Sequence, residues 1–460
     1  MKLLLIETGN AREDPFAQCW YTPQQRRFAV PLLAMPVVAA LTPPRFEVEI
    51  IDEKVQDLDL EAGCDLACFS FKTKDAKRTY RYAETFRKRG VPVILGGVHV
   101  MNIPEEAAQH ADSIVVGEAE GIWPQVLEDF ERGQLKKIYH APKGGALEAA
   151  PIPRFDLLDN DRYCMHAIQT SRGCLVGCEF CPIQKMNGGT SRHKSVGRVL
   201  AEVEAVRKID PHKMIFFVDE MFCGGEAGYQ KELLAALRRK QIEFFCITDF
   251  KVINPDYIQD LARSGCRKLS INLPGTCLPQ EVKAIRAIQR LGIEVWGFFM
   301  FGFSFHDGSV FRKVEHFARD CGMKNLTLTV MSPFPNTPMD RQITARNAYR
   351  SKDWDLYDQC HVTYEPERMT AEELEAGFLG TWKALEERLY FEEADFSKAR
   401  PWRRKLHRAW GTTTLSVEYG LRRLLGTKDE PVDLQSIVGK PKVEVSVTTH
   451  NTMGGYHAKN

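Results

Sequence analysis

Residues 169–181 read Gln169-Thr170-Ser171-Arg172-Gly173-Cys174-Leu175-Val176-Gly177-Cys178-Glu179-Phe180-Cys181. Its three cysteines have the spacing C-x3-C-x2-C, and an aromatic residue stands directly before the last one. Thiolates at this spacing can converge on one metal centre from a single loop. Three of them suit a [4Fe–4S] cluster that leaves one iron without a protein ligand. A small molecule can bind and be reduced at such an open iron.

Two other uses of these cysteines are weighed against the cluster. Structural zinc usually takes four protein ligands. No fourth Cys or His follows at short spacing, although Cys164 and Cys223 are available further away. Disulfides are typical of secreted proteins, and nothing in the chain suggests secretion. The spacing and the flanking residues therefore favour the cluster.

Length and composition indicate an ordinary globular protein of two or three domains. The chain has 460 residues, of which 44% are hydrophobic and 27% charged, and its net charge is +1. This balance gives no global field that would favour nucleic acid, so no nucleic-acid partner is expected. Thirteen cysteines without a signal peptide point to a reducing, cytoplasmic location. No apolar run approaches membrane-spanning length.

Residues 1–140 alternate strand-like and helix-like runs. Strands are predicted at 2–7, 47–52, 65–71, 92–97 and 113–116. Such alternation predicts an α/β domain, a Rossmann-like doubly wound parallel sheet. Ligands of these sheets bind at the carboxyl ends of the strands, at the point where the strand order reverses.

Residues 162–345 alternate again, after a linker at 141–161 that is rich in Pro and Gly. Six strand-like runs are predicted, at 165–170, 213–218, 243–248, 268–273, 294–301 and 325–331, with helical patterns between them. Six βα units are too few for a closed eight-stranded barrel. The cysteine loop follows the first strand, at the end where parallel barrels place their chemistry.

The motif C-x3-C-x-Phe-C resembles the signature of the radical S-adenosylmethionine (radical SAM) superfamily. The resemblance implies that Cys174, Cys178 and Cys181 hold a [4Fe–4S] cluster and that S-adenosylmethionine chelates the fourth iron. It places Phe180 near the adenine. It also implies that the six βα units form the partial (βα)6 barrel of this superfamily.

The first domain resembles the cobalamin-binding domain that precedes the barrel in one large subgroup of the superfamily. The resemblance is carried by Leu95-Gly96-Gly97-x-His99, by Pro104-Glu105-Glu106 and by Val116-Gly117-Glu118-Ala119-Glu120. It implies a corrin lying against the strand ends. The residues expected to hold it are Lys72, Thr73, Gly96, Gly97, His99, Gly117 and Glu118.

The Asp-x-His-x-x-Gly motif, which gives cobalt a lower axial histidine in other cobalamin proteins, is absent from this domain. We therefore expect no cobalt ligand from that motif, and His99 stands in the wrong context to replace it. The alternative is a domain that keeps its fold and has lost the cofactor.

Four further residues are candidates for binding S-adenosylmethionine. Asp219 and Glu220 end the second barrel strand and could take the ammonium of a bound amino acid, or could simply begin a helix with favourable charge. Thr248 could bind ribose hydroxyls or act as a cap. Gly302 follows a buried strand, where a backbone can approach a ligand closely.

Two departures from the subgroup's pattern stand out. The turn Pro333-Phe334-Pro335-Asn336-Thr337-Pro338 resembles its Pro-x-Pro-Gly-Thr-Pro element, with Asn336 in place of Gly. Asn tolerates the left-handed conformation, so the turn is expected to survive. The Gly-x-Glu-Ser element that usually follows the fourth strand is missing, and the segment there is short. This puts in doubt how the usual contacts near S-adenosylmethionine are made.

Residues 346–460 are expected to form a mainly helical C-terminal region that ends in a mobile tail. A strong helix is predicted at 370–393. Residues 399–426 are basic and aromatic and could contact a membrane surface or carry a hydrophobic acceptor. A solvated helix over the barrel is the simpler interpretation.

The sequence thus predicts a radical SAM enzyme that cleaves S-adenosylmethionine reductively. With cobalamin it would methylate an unactivated carbon of a small-molecule or lipid-like substrate, using an external one-electron reductant. One alternative is a cobalamin-binding oxidative cyclase or rearrangement enzyme that transfers no methyl group. The other is a degenerate, non-catalytic homologue.

Overall fold

The structure is a computed structural model that describes residues 1–9, 21–22, 27–142, 144, 147–273 and 275–393. Its strands are β1 (Lys2–Glu7), β2 (Tyr21–Thr22), β3 (Arg27–Phe28), β4 (Glu47–Asp52), β5 (Leu66–Ser70), β6 (Val93–Gly96), β7 (Ser113–Val116), β8 (Ile138–His140), β9 (His166–Ile168), β10 (Ser171–Arg172), β11 (Arg192–His193), β12 (Ile215–Phe217), β13 (Phe244–Asp249), β14 (Cys266–Leu273), β15 (Glu294–Phe301) and β16 (Asn325–Val330). Its helices are α1 (Ala34–Leu41), α2 (Ala76–Lys88), α3 (Val98–Asn102), α4 (Pro104–Ala107), α5 (Trp123–Glu131), α6 (Ile183–Asn187), α7 (Val196–Ile209), α8 (Ala227–Arg239), α9 (Pro255–Arg263), α10 (Pro279–Arg290), α11 (Val310–Cys321), α12 (Pro338–Ala345) and α13 (Ala371–Glu393).

The N-terminal sheet is parallel throughout and has the strand order β4-β1-β5-β6-β7-β8. Leu3 and Leu5 pack into one hydrophobic cluster, and Leu4 and Ile6 into another. A strand buried on both faces reads as a continuous apolar run, which is why β1 lacks alternation. The predicted doubly wound, Rossmann-like sheet is confirmed. Its strand order reverses between β1 and β5, where such sheets bind ligands.

The sixth strand of this sheet, β8, was not predicted as a strand. It is only three residues long, and of these Tyr139 alone is buried. A run this short offers almost no period for a sequence pattern to detect.

The second sheet is also parallel, and its strands follow chain order, β16-β15-β14-β13-β12-β9. Each of the helices α7 to α11 connects one strand to the next. Among the described residues, no pairing closes the sheet between β9 and β16. The sheet therefore stays open, as predicted for six βα units.

The C-terminal helix α13 packs on the second sheet. The ring of Phe378 lies 6.4 Å from that of Phe301 on β15. Gly377 lets α11 approach closely, because a side chain there would meet the ring of Phe311 at 2.1 Å. The predicted basic and aromatic stretch 399–426 and the predicted tail lie outside the described residues. Within the described chain, none of the helices has the length and apolar character needed to span a bilayer.

The carboxyl edges of the two sheets face each other. Glu118 follows β7 of the first sheet, and Arg172 lies just beyond β9 of the second; Arg172 Nη1 is 3.1 Å from Glu118 Oε2. On the same side, the Asn336 side chain after β16 donates a 2.8 Å hydrogen bond to the carbonyl of Asn102, which follows β6. The carboxyl edges that parallel sheets use for ligands are thus in contact with each other.

Candidate active site

The three motif cysteines lie in a loop, residues 173–191, which we call the cysteine loop. Its base is a two-stranded antiparallel ribbon in which Arg172 of β10 pairs with Arg192 of β11. Gly173 has φ +101°, and a Cβ there would lie 2.0 Å from the carbonyl oxygen of Thr190. Only glycine fits where the two ends of the loop cross this closely.

The thiols of the cysteine loop are partly buried and influence one another. Burial raises the pKa of Cys178 to about 12, and the neighbouring Cys181 and Cys174 add to this shift. Burial likewise raises the pKa of Cys181 to about 11. The N–H of Val176 points at Cys174 Sγ, 3.4 Å away. The thiols are therefore protonated until a metal centre binds and displaces their protons.

This arrangement suits a cubane cluster better than a single ion. In the described part of the chain, no three His, Cys, Asp or Glu side chains converge closely enough to bind one metal ion. Zinc needs four ligands on one ion, whereas a [4Fe–4S] cluster takes its thiolates at separate irons. The described residues thus contain no preformed single-ion site, and the three cysteines of the loop remain the candidates to hold a cluster.

Asp219 and Glu220 have different surroundings although they are adjacent in sequence. Asp219 is buried and accepts hydrogen bonds from the backbone N–H groups of Thr170 (2.7 Å), Ser171 (3.0 Å) and Cys223 (3.1 Å). The Thr170 hydroxyl donates to it as well. Its lone pairs are occupied in holding the strand that leads into the cysteine loop, and it has little capacity left for a ligand.

Glu220 faces the cysteines instead. Its Oε2 is buried and accepts no hydrogen bond from the described residues. Burial raises the pKa of Glu220, and its charge in turn raises the pKa of Cys174 and Cys181. A buried carboxylate oxygen without a donor is costly unless a ligand supplies one. Of the two predicted acidic residues, Glu220 therefore has the geometry to receive the ammonium group of S-adenosylmethionine.

The other residues expected near S-adenosylmethionine lie in the cysteine loop or at the carboxyl ends of strands in the second sheet. Phe180 packs edge-to-face on Phe303, with ring centroids 5.9 Å apart. Thr248 is buried at the end of β13. Gly302 has φ +100°, and a Cβ there would lie 2.2 Å from the hydroxyl oxygen of Tyr364. Tyr364 donates a 2.7 Å hydrogen bond to the Gly302 carbonyl, so the close approach that Gly302 permits is to this side chain.

At the carboxyl edge of the first sheet, three buried polar atoms have no hydrogen-bond partner among the described residues. They lie where the strand order reverses and are Glu7 Oε2, Thr8 Oγ1 and Thr73 Oγ1. The Lys72 side chain beside them is exposed, and desolvation lowers its pKa. We call the surface formed by Glu7, Thr8, Lys72 and Thr73 the corrin recess. Its orphaned polar atoms fit a ligand rich in amides, such as a corrin.

The glycines of the predicted corrin loops differ in what surrounds them. Gly96 is open, because a Cβ added there would have no neighbouring atom closer than 3.9 Å. Gly97 has φ +95° and is closely approached by the backbone of Phe71. Gly117 has φ +112° and is approached by Ala141, where a Cβ would lie 2.8 Å from the Ala141 side chain. The tight turns thus explain Gly97 and Gly117, while Gly96 leaves space at the strand edge.

Glu118 and the Nε2 atom of His99 have protein partners, whereas the buried Nδ1 atom of His99 has none among the described residues. His99 is fully buried on α3, and its Nε2 lies 3.0 Å from the Tyr80 hydroxyl and 3.5 Å from Glu106 Oε1. The indole of Trp354 packs edge-on against the His99 ring and donates a 2.9 Å hydrogen bond to Glu106. Glu118 contacts Arg172 and Arg192.

Sequence reasoning missed several residues of this site. Glu7 and Thr8 were assigned only to the first strand and the segment after it, and Arg192 and Glu120 had no assigned role. The sequence did contain a signal for Glu120. In Glu118-Ala119-Glu120, two carboxylates separated by one residue stand in a loop at a sheet edge, as expected of a binding site for cations. No local pattern indicated which arginines they would meet, because the partners lie more than 50 residues away.

Comparison with known proteins identifies the class. Residues 168–318 match the family described as "Radical SAM superfamily". The match covers the cysteine loop and most of the second sheet, so this part of the chain is similar to the radical SAM superfamily.

Over most of its length, the chain is homologous to methyltransferases. It is 26% identical to the bacteriochlorophyllide d C-12(1)-methyltransferase of Chlorobaculum tepidum over 366 residues, which cover 75% of this chain and 80% of the relative. It is 22% identical to the hopanoid C-2 methylase of Rhodopseudomonas palustris, covering 66% of this chain and 62% of that one.

A solved structure shares the fold. It is the radical S-adenosylmethionine methyltransferase TsrM from Kitasatospora setae, with cobalamin and a [4Fe–4S] cluster bound. The TM-score is 0.57 at 16% identity, and the match covers 75% of this chain and 78% of TsrM. The two six-stranded sheets of this chain therefore have the same overall fold as TsrM.

Proposed function

We propose that this protein is a cobalamin-dependent radical SAM enzyme that methylates an unactivated carbon of a small molecule. One observation carries the proposal. The recess of the first sheet and the cysteine loop of the second sheet border the same space, because Glu118 and Arg172 bring the two carboxyl edges into contact. A corrin and a cluster held at these edges could therefore serve one substrate.

The proposal assigns a role to each part of the site. Cys174, Cys178 and Cys181 hold the cluster. The Glu220 carboxylate receives the ammonium of S-adenosylmethionine, and the Phe180 ring closes its adenine side. When bound, the cluster supplies the electron for reductive cleavage and cobalamin supplies the methyl group. The protein orients these groups and excludes water from them.

The recess at the strand reversal is assigned to the corrin. The hydroxyls of Thr8 and Thr73 have no partner among the described residues, and a corrin carries amide side chains that can satisfy them. The Lys72 ammonium beside them can donate to the same amides. Gly96 leaves the strand edge open for the flat face of the ring. The backbone turns at Gly97 and Gly117 shape this edge.

The substrate is proposed to be a polycyclic, lipid-like or tetrapyrrole small molecule. The printed names of two relatives state that they act on bacteriochlorophyllide d and on hopanoids. Three large apolar side chains on loops after barrel strands remain exposed: Leu175 (57%), Leu278 (42%) and Phe305 (41%). An apolar mouth favours an apolar substrate. We place the enzyme in the cytoplasm, where thiols stay reduced and an external one-electron reductant is available.

The absent Gly-x-Glu-Ser element motivates the alternative of a non-catalytic homologue. In the structure, β14 ends at Leu273 and α10 begins at Pro279. Thr276 donates a 2.8 Å hydrogen bond to Glu281 Oε1, so the nearest carboxylate in sequence is used to cap the helix. Glu220 supplies the acidic group that this segment lacks, which favours an active enzyme.

Anaerobic reconstitution tests the proposal. The chain is loaded with iron and sulfide, then given dithionite, hydroxocobalamin, S-adenosylmethionine and a tetrapyrrole and hopanoid extract, and 5′-deoxyadenosine and methylated products are measured. We expect it to form with the parent and not with a Cys174→Ala variant. An intact cluster that releases no 5′-deoxyadenosine would favour the non-catalytic homologue. Release without methylation of any product would favour the cyclase or rearrangement enzyme.

A further inference from the structure

The base of the cysteine loop carries a charge arrangement that the proposed chemistry does not use. Arg172 and Arg192 stand directly opposite each other on the antiparallel ribbon. Residues at such positions point to the same face with their Cβ atoms close together, and like charges placed there repel. Two guanidinium groups at the neck of the loop would therefore force it apart unless anions lie between them.

The first domain supplies those anions. Glu118 Oε2 lies 3.1 Å from Arg172 Nη1 and 3.1 Å from Arg192 Nη1, so this carboxylate bridges both arginines. Glu120 Oε1 lies 2.9 Å from Arg172 Nη2. All four side chains are largely buried, with exposed fractions of 11% to 20%. We call these four residues the carboxylate clamp.

The pKa shifts agree with four charged side chains of the carboxylate clamp that lie close together and away from water. Burial alone would lower the pKa of the Arg172 guanidinium, but Glu120 and Glu118 raise it. Burial alone would raise the pKa of the Glu120 carboxyl, but Arg172 lowers it. Two positive and two negative charges balance, so the removal of any one leaves this buried group of side chains with a net charge.

The position of the clamp gives it a function beyond stability. Arg172 is two residues before Cys174, and the carboxylates sit in the loop Gly117–Gly121, at the edge proposed to bind the corrin. We propose that Glu118 and Glu120 are positioning residues that close the base of the cysteine loop and couple its cluster to the occupancy of the corrin recess. The coupling to cobalamin rests on the proposed function, whereas closure of the loop does not.

Cluster retention tests closure of the loop without cobalamin or S-adenosylmethionine. Reconstituted protein is exposed to a ferrous chelator, and loss of the cluster absorption is timed. We expect Glu118→Gln to lose its cluster on the order of 10–100-fold faster than the parent, the range known for residues that orient metal ligands. The matched control is Glu131→Gln, which breaks an exposed bidentate pair with Arg45 (2.7 Å) in the same domain. It is expected to behave as the parent.

A neutral double variant separates charge balance from loss of a contact. Glu118→Gln/Arg192→Met removes one charge of each sign and is expected to restore much of the cluster lifetime. A merely structural role of Glu118 would make the double variant worse than either single one. If Glu118→Gln alone yields no soluble protein, the double variant is compared with Arg192→Met. The proposal is overturned if the double variant retains its cluster no longer than Arg192→Met does. It is also overturned if Glu118→Gln retains its cluster as long as Glu131→Gln does.

Hydroxocobalamin tests the coupling. In the parent, its binding is expected to slow cluster loss, and cluster loading is expected to tighten its binding. The ratio of the hydroxocobalamin dissociation constants without and with the cluster is the coupling factor. In Glu120→Gln, which leaves Glu118 to bridge the arginines, this factor is expected to shrink toward one. If Glu120→Gln binds hydroxocobalamin with the same coupling factor as the parent, the coupling is refuted. A parent that binds no hydroxocobalamin refutes the cobalamin part of the proposed function and the coupling together, while the chelator result still stands for closure.

Discussion

Asn336 and Asn102 join the two sheets by one hydrogen bond. The Asn336 side-chain N–H donates to the Asn102 carbonyl over 2.8 Å, from a residue with φ +66°. The left-handed conformation expected at this position is thus present, and the Asn found in place of Gly also makes a contact that glycine cannot. Asn336 therefore connects the turn after β16 to the end of helix α3, which follows the predicted corrin-binding glycines Gly96 and Gly97.

Replacing Asn336 separates its two contributions. Asn336→Gly keeps the backbone conformation and loses only the hydrogen bond, so the free energy of unfolding is expected to fall by about 1 kcal/mol. Asn336→Ala also strains the left-handed backbone and is expected to cost about 1–2 kcal/mol more. Urea unfolding measures both. Equal stability of the Gly variant and the parent would show that the hydrogen bond contributes nothing.

Substitutions of the neighbours Asp219 and Glu220 are expected to have different effects, one on stability and the other on binding of S-adenosylmethionine. Glu220→Gln keeps the fold but loses the charge that pairs with an ammonium, so the dissociation constant for S-adenosylmethionine is expected to rise about tenfold. Asp219→Asn disturbs four buried hydrogen bonds and is expected to lower the free energy of unfolding by roughly 2–4 kcal/mol. Equilibrium dialysis and urea unfolding separate these effects. A Glu220→Gln protein that binds S-adenosylmethionine as the parent does would remove Glu220 from the site.

Glu7 is expected to make stability depend on pH. Burial raises its pKa from the ordinary 4.5 to about 7 in the folded protein. Between these values the folded state keeps a proton that the unfolded state has released, so the free energy of unfolding falls as pH rises from 4.5 to 7. The fall attributable to Glu7 is about 3 kcal/mol.

The Glu7→Gln variant measures this contribution, because its side chain cannot ionise. Its stability relative to the parent is expected to rise by about 3 kcal/mol between about pH 4.5 and about pH 8. Glu49→Gln is a suitable control, since that carboxylate is 45% exposed on the adjacent strand β4. A constant difference between Glu7→Gln and the parent across this pH range would contradict a buried, protonated Glu7.

His99 is expected not to ligate cobalt. Its ring is fully buried and its Nε2 is 3.0 Å from the Tyr80 hydroxyl. Electron paramagnetic resonance of bound cob(II)alamin reports a nitrogen ligand as an additional splitting. The spectrum of a His99→Ala variant is expected to match that of the parent, although the variant loses about 1–3 kcal/mol of stability. A splitting present in the parent and absent in the variant would make His99 a ligand.

The fold could be read from the sequence where patterns are long. Strands β1, β4, β7 and β15 were predicted with the bounds that they have. Strands β1, β7 and β15 are nearly continuous apolar runs, as expected of buried parallel strands, whereas β4 is apolar and buried mainly in its second half. Strand β8 was missed because three residues carry no period. The boundaries drawn at residues 140 and 161 remain predictions, since one hydrophobic cluster includes residues on both sides of them.

The site was readable only in part. The cysteine spacing is local and marks the cluster loop directly, whereas the roles of Asp219 and Glu220 depend on which way each carboxylate points. That direction is set by the backbone donors of Thr170 and Ser171, 48 or more residues earlier in the chain. The link from Glu118 to Arg172 is of the same kind, since it forms only when two separately folded edges meet.

The most direct test of methyl transfer uses S-adenosylmethionine with an isotopically labelled methyl group. Reconstituted protein, dithionite and hydroxocobalamin are incubated with a tetrapyrrole and hopanoid extract, and products are analysed by mass spectrometry. We expect a product that carries one labelled methyl group on carbon, and we expect no such product with Cys174→Ala or without hydroxocobalamin. Release of 5′-deoxyadenosine with no label in any product would contradict it.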